Sequence, residues 1–445
     1  MAYISNTDTD RLEMLKAIGV NSFTDLLAPI PEAIRWQGDL PIPPALDEHN
    51  LYRHLSALAA RNANAEQMAC YLGAGIYDHF RPAVVGALAS RGEFATAYTP
   101  YQPEMSQGML QAVYEFQTMI CGLTGMEISN ASMYDAATSL AEAALMAVHT
   151  TGREQVVVLN NVHPNYREVV RTYMRSSSLE YVEASTQTVL DLITANTACV
   201  LTQSPDFFGC IQELAPISAA IHAVGGLLVV ASDPVALALL KPPAQYDADV
   251  VVGEGQSLGN AMAFGGPLLG FFACKKKYVR SFPGRIVGGT LDAEGRRGYT
   301  MTLRTREQDI RREKATSNIC TNQSLLALSA TIYLSALGKN GLITAADLSL
   351  QKAHYACTEL CKLPGVSMLM PDRPFFKEFA LRLPVDPENV NEKLIAYGII
   401  GGLSLTPYGS DLKNGWLICV TETKTRADID ALVMAVGNIL SEGTH

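Results

Sequence analysis

The sequence predicts an α/β protein with a mostly parallel sheet in its larger part and a smaller α+β domain towards its C-terminus. Through the middle of the chain, short apolar runs of strand length alternate with helix-like segments, which is typical of a parallel sheet covered by helices. The last such run follows Gly265-Gly266-Pro267 with no helix between, so we expect that strand to be antiparallel. Beyond about residue 325 the alternation stops, and two helices precede three strands and a final helix.

The N-terminal segment has the pattern of an arm. A short helix is expected after Thr9-Asp10 and a second near Asn21-Ser22. Five prolines between positions 29 and 44 then imply extended chain that lies over another surface. We therefore divide the chain into an arm (1–65), a large α/β domain (66–325) and an α+β C-terminal domain (326–445).

The expected elements of the two larger parts follow from apolar spacing and length. In the large domain, helices are expected over 106–122 and 136–149, and strands over 155–159, 181–183, 198–202, 227–231, 249–252 and 268–274. In the C-terminal part, helices are expected at about 320–337, 342–361 and 426–441, and strands near 366–370, 376–383 and 415–421. This layout suits the aspartate-aminotransferase-like fold (fold type I) of many pyridoxal phosphate enzymes. It also suits a doubly wound nucleotide-binding enzyme.

Composition excludes several classes of function. Hydrophobic residues make up 48% and charged residues 18% of the chain, as in a globular enzyme rather than a disordered protein. The net charge is −10 and the longest cationic run is Lys275-Lys276-Lys277, so nucleic acid is not an expected partner. Nine scattered cysteines without a CxxC pair indicate a reducing compartment. We find no signal-peptide pattern and no apolar run of membrane-spanning length, so we expect a cytoplasmic protein that binds no membrane.

A glycine-rich loop follows one of the expected strands, with the sequence Gly253-Glu254-Gly255-Gln256-Ser257-Leu258-Gly259. Its GxGxxxG spacing is one residue off the dinucleotide-binding fingerprint. Another glycine-rich turn follows it, where the fingerprint requires a helix. A dinucleotide site is therefore disfavoured.

The ends of two successive strands carry a stronger signal. In fold type I enzymes, an Asp after one strand pairs with the pyridine nitrogen of the coenzyme, and a Lys after the next strand forms the Schiff base. Asp233 stands at the first place, but Gln256 and Ser257 stand where the lysine is needed, and the nearest lysines along the chain are Lys241 and Lys275–Lys277. If the fold is right, Asp233 is a vestigial pyridine-Asp position and this chain cannot form the internal aldimine. A helix N-cap before a proline explains Asp233 equally well.

A polar loop stiffened by prolines runs into the helix expected from about 106. Its sequence is Tyr98-Thr99-Pro100-Tyr101-Gln102-Pro103-Glu104. Hydroxyl, amide and carboxyl groups on a rigid backbone suit the wall of a pocket, which makes Tyr98, Tyr101, Gln102 and Glu104 candidate site residues. A purely structural loop before a Ser-capped helix explains the same pattern.

Three further residues, Ser317, Asn318 and Thr321, precede a long helix. Hydroxyls and an amide beside free N–H donors at a helix start suit a phosphate group or a partner surface. The usual meaning of the charged run before them is a solvated helix face.

Two histidine motifs have simpler interpretations. His79 adjoins Asp78, but adjacent residues rarely face each other, so a hydrogen-bonded structural histidine is favoured over a general base. Cys357 and Cys361 lie near His354, but a metal would need a fourth ligand and better placement, so no metal site is expected.

Several segments together resemble the glycine cleavage P-protein family, in family order and over nearly the whole chain. They are GAGIY at 73–77, TAYTPYQPE at 96–104, SQG at 106–108, FQTMI at 116–120, LTGM at 123–126, SNAS at 129–132, FGGP at 264–267, PGRIVG at 283–288, TREQ at 305–308 and REKATSNICT at 312–321. The family has fused chains of about twice this length and two-subunit forms. The length and the missing lysine make this chain similar to the alpha subunit, which corresponds to the N-terminal half.

The resemblance implies an enzyme that decarboxylates glycine and passes the aminomethyl group to the lipoyl arm of the H-protein, releasing carbon dioxide. It implies that pyridoxal phosphate is bound by a beta subunit and not covalently by this chain. It further implies an alpha2-beta2 heterotetramer with each active site at an alpha-beta interface. Such a chain should expose an apolar face when alone, so we expect poor solubility or self-association without its partner.

Two other functions stay open at this point. The chain is a self-sufficient pyridoxal phosphate enzyme of another amino-acid reaction if a lysine from elsewhere in the sequence reaches the coenzyme. It is a non-catalytic scaffold if substitutions such as Tyr98→Phe or Glu104→Gln leave the turnover of the assembled enzyme unchanged.

Overall fold

The computed structural model describes residues 5–36 and 38–442. The chain divides into two compact units, 1–62 and 63–445. The predicted three-part division at residues 65 and 325 stays a prediction.

The first unit contains the helices Asp8–Ile18, Phe23–Leu26 and Glu48–Ala59. The first two are confirmed predictions, and each begins with a capping box, in which the hydroxyl of Thr7 or Ser22 accepts a backbone N–H and the third helical residue bonds back. None of the described residues of this unit is buried. These described residues therefore form no hydrophobic core of their own.

The second unit is built on a seven-stranded sheet. Its strands are β1 (Ile128–Ser129), β2 (Gln155–Leu159), β3 (Glu180–Ala184), β4 (Thr197–Gln203), β5 (Leu227–Ala231), β6 (Val250–Glu254) and β7 (Gly270–Cys274). The spatial order is β1-β7-β6-β5-β4-β2-β3. In this order, the neighbouring strands β6, β5, β4, β2 and β3 all pair in parallel. β7 is antiparallel to both β6 and β1. The mostly parallel sheet and the antiparallel last strand are therefore confirmed.

The central strands are buried along their whole length because helices pack on the sheet. The sequences QVVVL in β2 and LLVVA in β5 are buried at every position, as near-continuous aliphatic runs in a helix-covered sheet should be. The helices of this part are Ala83–Ala89, Gly92–Ala95, Gln107–Thr124, Ala136–Thr151, Pro164–Ser176, Val189–Leu192 and Ala215–Ala223. A hairpin of β8 (Ile286–Leu291) and β9 (Arg297–Thr302) follows the sheet and was not predicted.

The C-terminal part has its own antiparallel sheet. Its strands are β10 (Ser367–Met368), β11 (Glu378–Arg382), β12 (Leu403–Ser404) and β13 (Gly415–Cys419), in the order β10-β11-β13-β12. The short strand β12 was not predicted. Two-residue segments at Ala69–Cys70 and Ile399–Ile400 pair in parallel. The remaining helices are Gln308–Arg311, Ser324–Leu360, Pro387–Leu394 and Arg426–Glu442.

The long helix Ser324–Leu360 joins the two hydrophobic cores. Two helices were expected here, and the assigned helix is indeed broken at Gly338, whose φ of 59° and ψ of −174° are not helical. By length and composition the helix could cross a membrane. In the structure, however, Tyr333 packs in the core of the large sheet and Leu360 in that of the C-terminal sheet.

Candidate functional site

The carboxyl ends of β5 and β6 meet the first residue of β11, and the candidate site lies there. Asp233 follows β5 by two residues. Its Oδ1 accepts the Val235 N–H at 2.9 Å, and its Oδ2 lies 2.7 Å from the ammonium of Lys377. One carboxylate oxygen thus holds the turn after β5, and the other neutralises a buried ammonium. Asp233 is not the N-cap of a helix, since the short helical turn at Ala236–Ala238 has Val235 at that position. Its vestigial pyridine-Asp role stays a prediction.

Gln256 occupies the place where the Schiff-base lysine would be needed. Its side chain is 1% exposed and forms three hydrogen bonds. Its Oε1 accepts the Tyr77 N–H at 2.9 Å, while Nε2 donates to the carbonyls of Tyr77 at 3.1 Å and Asn260 at 2.9 Å. Ser257 beside it is buried, and its hydroxyl has no hydrogen-bond partner among the described residues. These side chains support the loop and offer no amine.

Lys377 is the site residue that the sequence analysis missed. The lysine that pairs with Asp233 is none of those nearest along the chain, Lys241 and Lys275–Lys277. Lys377 directly precedes β11, is 1% exposed and pairs with Asp233. The only signal in the sequence was the pair Lys377-Glu378 at the start of an expected strand, between Phe376 and Phe379, since a buried lysine is unusual unless its charge is paired.

Lys377 also contacts His79. The ammonium lies 2.9 Å from His79 Nε2 and 3.5 Å from the centre of the Tyr77 ring. Since an ammonium only donates, Nε2 must accept, and the imidazole proton sits on Nδ1, which donates to Glu422 Oε2 at 2.6 Å. Burial and the charge of Lys377 lower the pKa of His79, which keeps the ring neutral. His79 is therefore a hydrogen-bonded structural histidine, as predicted.

The other charged side chains next to Lys377 and His79 are also paired. Asp78 faces away from His79 and binds the Lys424 ammonium at 2.6 Å. Burial opposes ionisation of Glu422, but the hydrogen bond from His79 Nδ1 and one from the Phe80 N–H at 2.7 Å favour the charged form and lower the pKa of Glu422. The row Asp233, Lys377, His79, Glu422 thus alternates acceptors and donors through a buried space.

Two buried carboxyl groups flank the row. Burial raises the pKa of Glu254 to about 7, although three backbone N–H groups, those of Ala136, Gln256 and Leu269, point at it. Burial likewise raises the pKa of Glu378 to about 7, and its two oxygens accept the Ala74 N–H at 2.7 Å and the Tyr77 hydroxyl at 2.8 Å. Both groups are therefore partly protonated near neutral pH.

The space that these side chains leave does not fit pyridoxal phosphate. The cavity between Tyr77, Tyr166, Asp233, Glu254 and Lys377 has a volume of about 30 Å³. That is room for a water molecule or two, whereas pockets for organic ligands run to roughly 300–1,000 Å³. The carboxylate that would pair with the pyridine nitrogen is already neutralised.

The predicted wall residues lie elsewhere, on an exposed loop. None of Tyr98, Tyr101, Gln102 and Glu104 lines the cavity. The loop is anchored by Arg285, whose guanidinium donates to the Tyr101 hydroxyl at 3.0 Å and to Thr99 Oγ1 at 3.3 Å. The side chains of Tyr98, Gln102 and Glu104 make no hydrogen bond to any described residue, and Tyr98 is 89% exposed. Their role in a site stays a prediction.

The segment with Ser317, Asn318 and Thr321 packs against the start of the large sheet. The backbone N–H of Thr321 donates to the Tyr134 hydroxyl at 3.4 Å, and the Ser317 hydroxyl accepts the Ile319 N–H at 3.1 Å. The backbone N–H groups of Ile319 and Thr321, at a helix start where free donors were expected, are thus already hydrogen-bonded. Asn318 is exposed. The phosphate or partner role of these residues stays a prediction.

His354 has a packing role. Its ring stacks on Phe375 at 4.0 Å, and its Nε2 bonds the Phe375 carbonyl. Among the described residues, no group of three or more His, Cys, Asp or Glu side chains could hold a metal ion.

Comparison with known proteins gives a consistent set of relatives. The family model of the glycine cleavage system P-protein matches residues 1–436. The probable glycine dehydrogenase (decarboxylating) subunit 1 of Desulfitobacterium hafniense is 51% identical over 446 residues, covering 99% of this chain and 100% of that protein. The protein of the same name from Geobacillus thermodenitrificans is 50% identical and covers 98% of both chains.

Solved structures agree. The inhibitor-bound glycine decarboxylase (P-protein) of the glycine cleavage system is 45% identical, covers 99% of this chain and all of that one, and superposes with a TM-score of 0.90. Two distant structures show the fold alone at 15% identity. They are an Escherichia coli cysteine desulfurase (TM-score 0.63, 87% of this chain and 98% of that one) and a Burkholderia pseudomallei sphingosine-1-phosphate lyase (TM-score 0.64, 93% and 94%). The predicted fold type I is confirmed.

Proposed function

The chain belongs to the glycine cleavage system P-protein family, and from this we propose that it is subunit 1 of a glycine decarboxylase whose pyridoxal phosphate is held by a second subunit. Together they decarboxylate glycine and pass the aminomethyl group to the lipoyl arm of the H-protein. The proposed assembly is an alpha2-beta2 heterotetramer in the cytoplasm.

One observation supports the dependence of this chain on a second subunit. The ammonium of Lys377 lies 2.7 Å from Asp233, where a pyridine nitrogen would be paired, and Gln256 is committed to three hydrogen bonds. A buried lysine that is already paired with Asp233 is a poor Schiff-base amine, and its ammonium fills the side of Asp233 that a pyridine nitrogen would need. This supports the proposal that the coenzyme is held by another chain.

The exposed loop 98–104 supports a role for this chain in the partner's active site. Arg285 and a buried Pro100 hold its backbone, while the side chains of Tyr98, Gln102 and Glu104 have no partner among the described residues. Oriented dipoles on a rigid support stabilise charge changes best when water is excluded around them. We therefore assign these three side chains to the wall that a second subunit completes.

Two measurements test the proposal. The purified chain with added pyridoxal phosphate should show no aldimine absorbance band and no release of carbon dioxide from glycine. Activity with lipoylated H-protein should appear when the second subunit is added. Borohydride reduction and peptide mapping should then place the phosphopyridoxyl group on the second subunit. Glycine decarboxylation by the isolated chain would reject the proposal and favour a self-sufficient enzyme.

A further inference from the structure

Lys377 connects three separate parts of the chain. It precedes β11, its ammonium pairs with Asp233 after β5, and it contacts Tyr77 and His79 in the segment 73–80. A lysine that is 1% exposed requires this full set of partners, because burying an uncompensated charge is strongly unfavourable. A carboxylate, an imidazole nitrogen and an aromatic face together make an ammonium-binding site.

The residue after Lys377 reinforces the same connection. Glu378 accepts the Ala74 N–H and the Tyr77 hydroxyl, both in the segment 73–80. Gly73 and Gly209 permit this close approach, since an added Cβ would lie 2.3 Å from Glu378 Oε1 at Gly73 and 2.0 Å from the Glu378 carbonyl oxygen at Gly209. The start of β11 is thus inserted between two other segments with no spare room.

We propose that Lys377 is an internal cation that takes the place of a coenzyme ring in this chain and locks segment 73–80 and β11 onto the carboxyl end of β5. The claim that Lys377 takes the place of a coenzyme ring rests on the proposed function. The claim that it holds these segments together, the lock, rests on the contacts alone. The group that this site of Asp233, His79 and Tyr77 recognises is a primary ammonium. Removing the lysine side chain should therefore leave a site for a small alkylammonium ion.

Hydrogen exchange of the full chain, assembled with its second subunit, tests the lock. In Lys377→Ala and Lys377→Met, the amides of Ala74, Tyr77 and Phe80 should exchange on the order of tenfold faster or more, because local opening no longer breaks the ion pair. Ethylammonium chloride should restore protection in the Ala variant. It should not do so in the Met variant, whose side chain fills the space.

Two controls make the rescue specific. Sodium chloride at the same ionic strength should have no effect on either variant. Lys275→Ala removes a second lysine that is paired with a buried carboxylate, that of Asp249 at 2.8 Å, at the opposite end of β6. This variant should leave the exchange of segment 73–80 unchanged, with or without ethylammonium.

The double variant Lys377→Met, Asp233→Asn covers the case in which neither single variant folds. It removes both charges and leaves none unpaired, so it should unfold cooperatively even where Lys377→Met does not fold, and where both fold it should have the higher thermal midpoint. A lower midpoint, or unchanged exchange of segment 73–80 in folded Lys377 variants, would overturn the lock. Wild-type chain should show no change of exchange on adding pyridoxal phosphate. A reduced coenzyme adduct on Lys377 would overturn the claim that it takes the place of the ring, even if the isolated chain remained inactive on glycine.

Discussion

The side-chain amide of Gln256 pairs with the backbone of Tyr77 through two hydrogen bonds, one accepted from the N–H at 2.9 Å and one donated to the carbonyl at 3.1 Å. In fold type I enzymes that bind their own coenzyme, a lysine after a strand of the large sheet forms the Schiff base. Here the segment after β6 has no lysine, and the Gln256 amide holds the segment 73–80 in place.

Gln256→Lys should not restore coenzyme binding. The variant leaves Lys377 on Asp233 and the cavity at about 30 Å³, so there is still no room for the ring. It also leaves the Tyr77 N–H and carbonyl unpaired, which should lower the free energy of unfolding by about 1–3 kcal/mol. Borohydride reduction with peptide mapping and thermal unfolding measure the two effects. Gln256→Met is the control with the same lost bonds and no amine, and an adduct at position 256 would contradict the prediction.

Glu104→Gln should lower the turnover of the assembled enzyme roughly tenfold or more without changing its stability. The side chain is exposed and makes no hydrogen bond to a described residue, so folding does not depend on it. A loss of one order of magnitude corresponds to about 1.4 kcal/mol of transition-state stabilisation. Glu392→Gln, at an exposed position of the helix Pro387–Leu394, is the matched control and should have no effect. Unchanged turnover in both Glu104→Gln and Tyr98→Phe would support the scaffold hypothesis instead.

The pH dependence of stability should report on Glu378. Its pKa is raised by burial from 4.5 to about 7, so between these values the folded protein keeps a proton that the unfolded chain releases. The free energy of unfolding therefore falls as pH rises through this window, by at most about 3 kcal/mol from this group. Glu378→Gln should flatten that part of the profile in pH-dependent thermal unfolding. Part of the slope should remain, because the pKa of Glu254 is raised in the same direction. Glu392→Gln should leave the slope unchanged.

Two glycine substitutions separate backbone strain from close packing. Gly209 and Gly152 have φ of 83° and 68°, so an alanine is strained at both, by about 1–2 kcal/mol. At Gly152 an added Cβ meets nothing within 4 Å, whereas at Gly209 it would lie 2.0 Å from the Glu378 carbonyl oxygen. Gly209→Ala should therefore cost roughly 3 kcal/mol or more in denaturant unfolding. Equal losses of unfolding free energy at the two positions would show that β11 shifts away from the added Cβ at little cost.

The helix Glu48–Ala59 should drive self-association of the isolated chain. Leu51, Leu55 and Leu58 share one face of this helix, and each is 44–53% exposed. Changing Leu51 and Leu55 to Asp should reduce the oligomer fraction in light scattering at equal concentration. Ser56→Asp adds a charge to another face of the same helix and should leave association unchanged. If both variants associate alike, this face is not responsible.

Much of the fold could be predicted from local patterns. The strands at 155–159 and 227–231 were predicted with their observed bounds, because runs of four or five buried aliphatic residues between helical segments have few other solutions. The strand Leu403–Ser404 and the hairpin at 286–302 were not predicted, since two residues or a glycine-rich run carry too little apolar signal.

The sequence by itself determined that no lysine lies in the segment 253–259 after the strand Val250–Glu254, because this can be read directly from the residues. It also determined the family and the position of Asp233. Only the tertiary structure decided what neutralises that carboxylate. Lys377 reaches it from the C-terminal sheet, and no local propensity or spacing encodes which distant charges will be buried together. That pairing follows from how two sheets pack, and so does the burial that raises the pKa of Glu254 and Glu378.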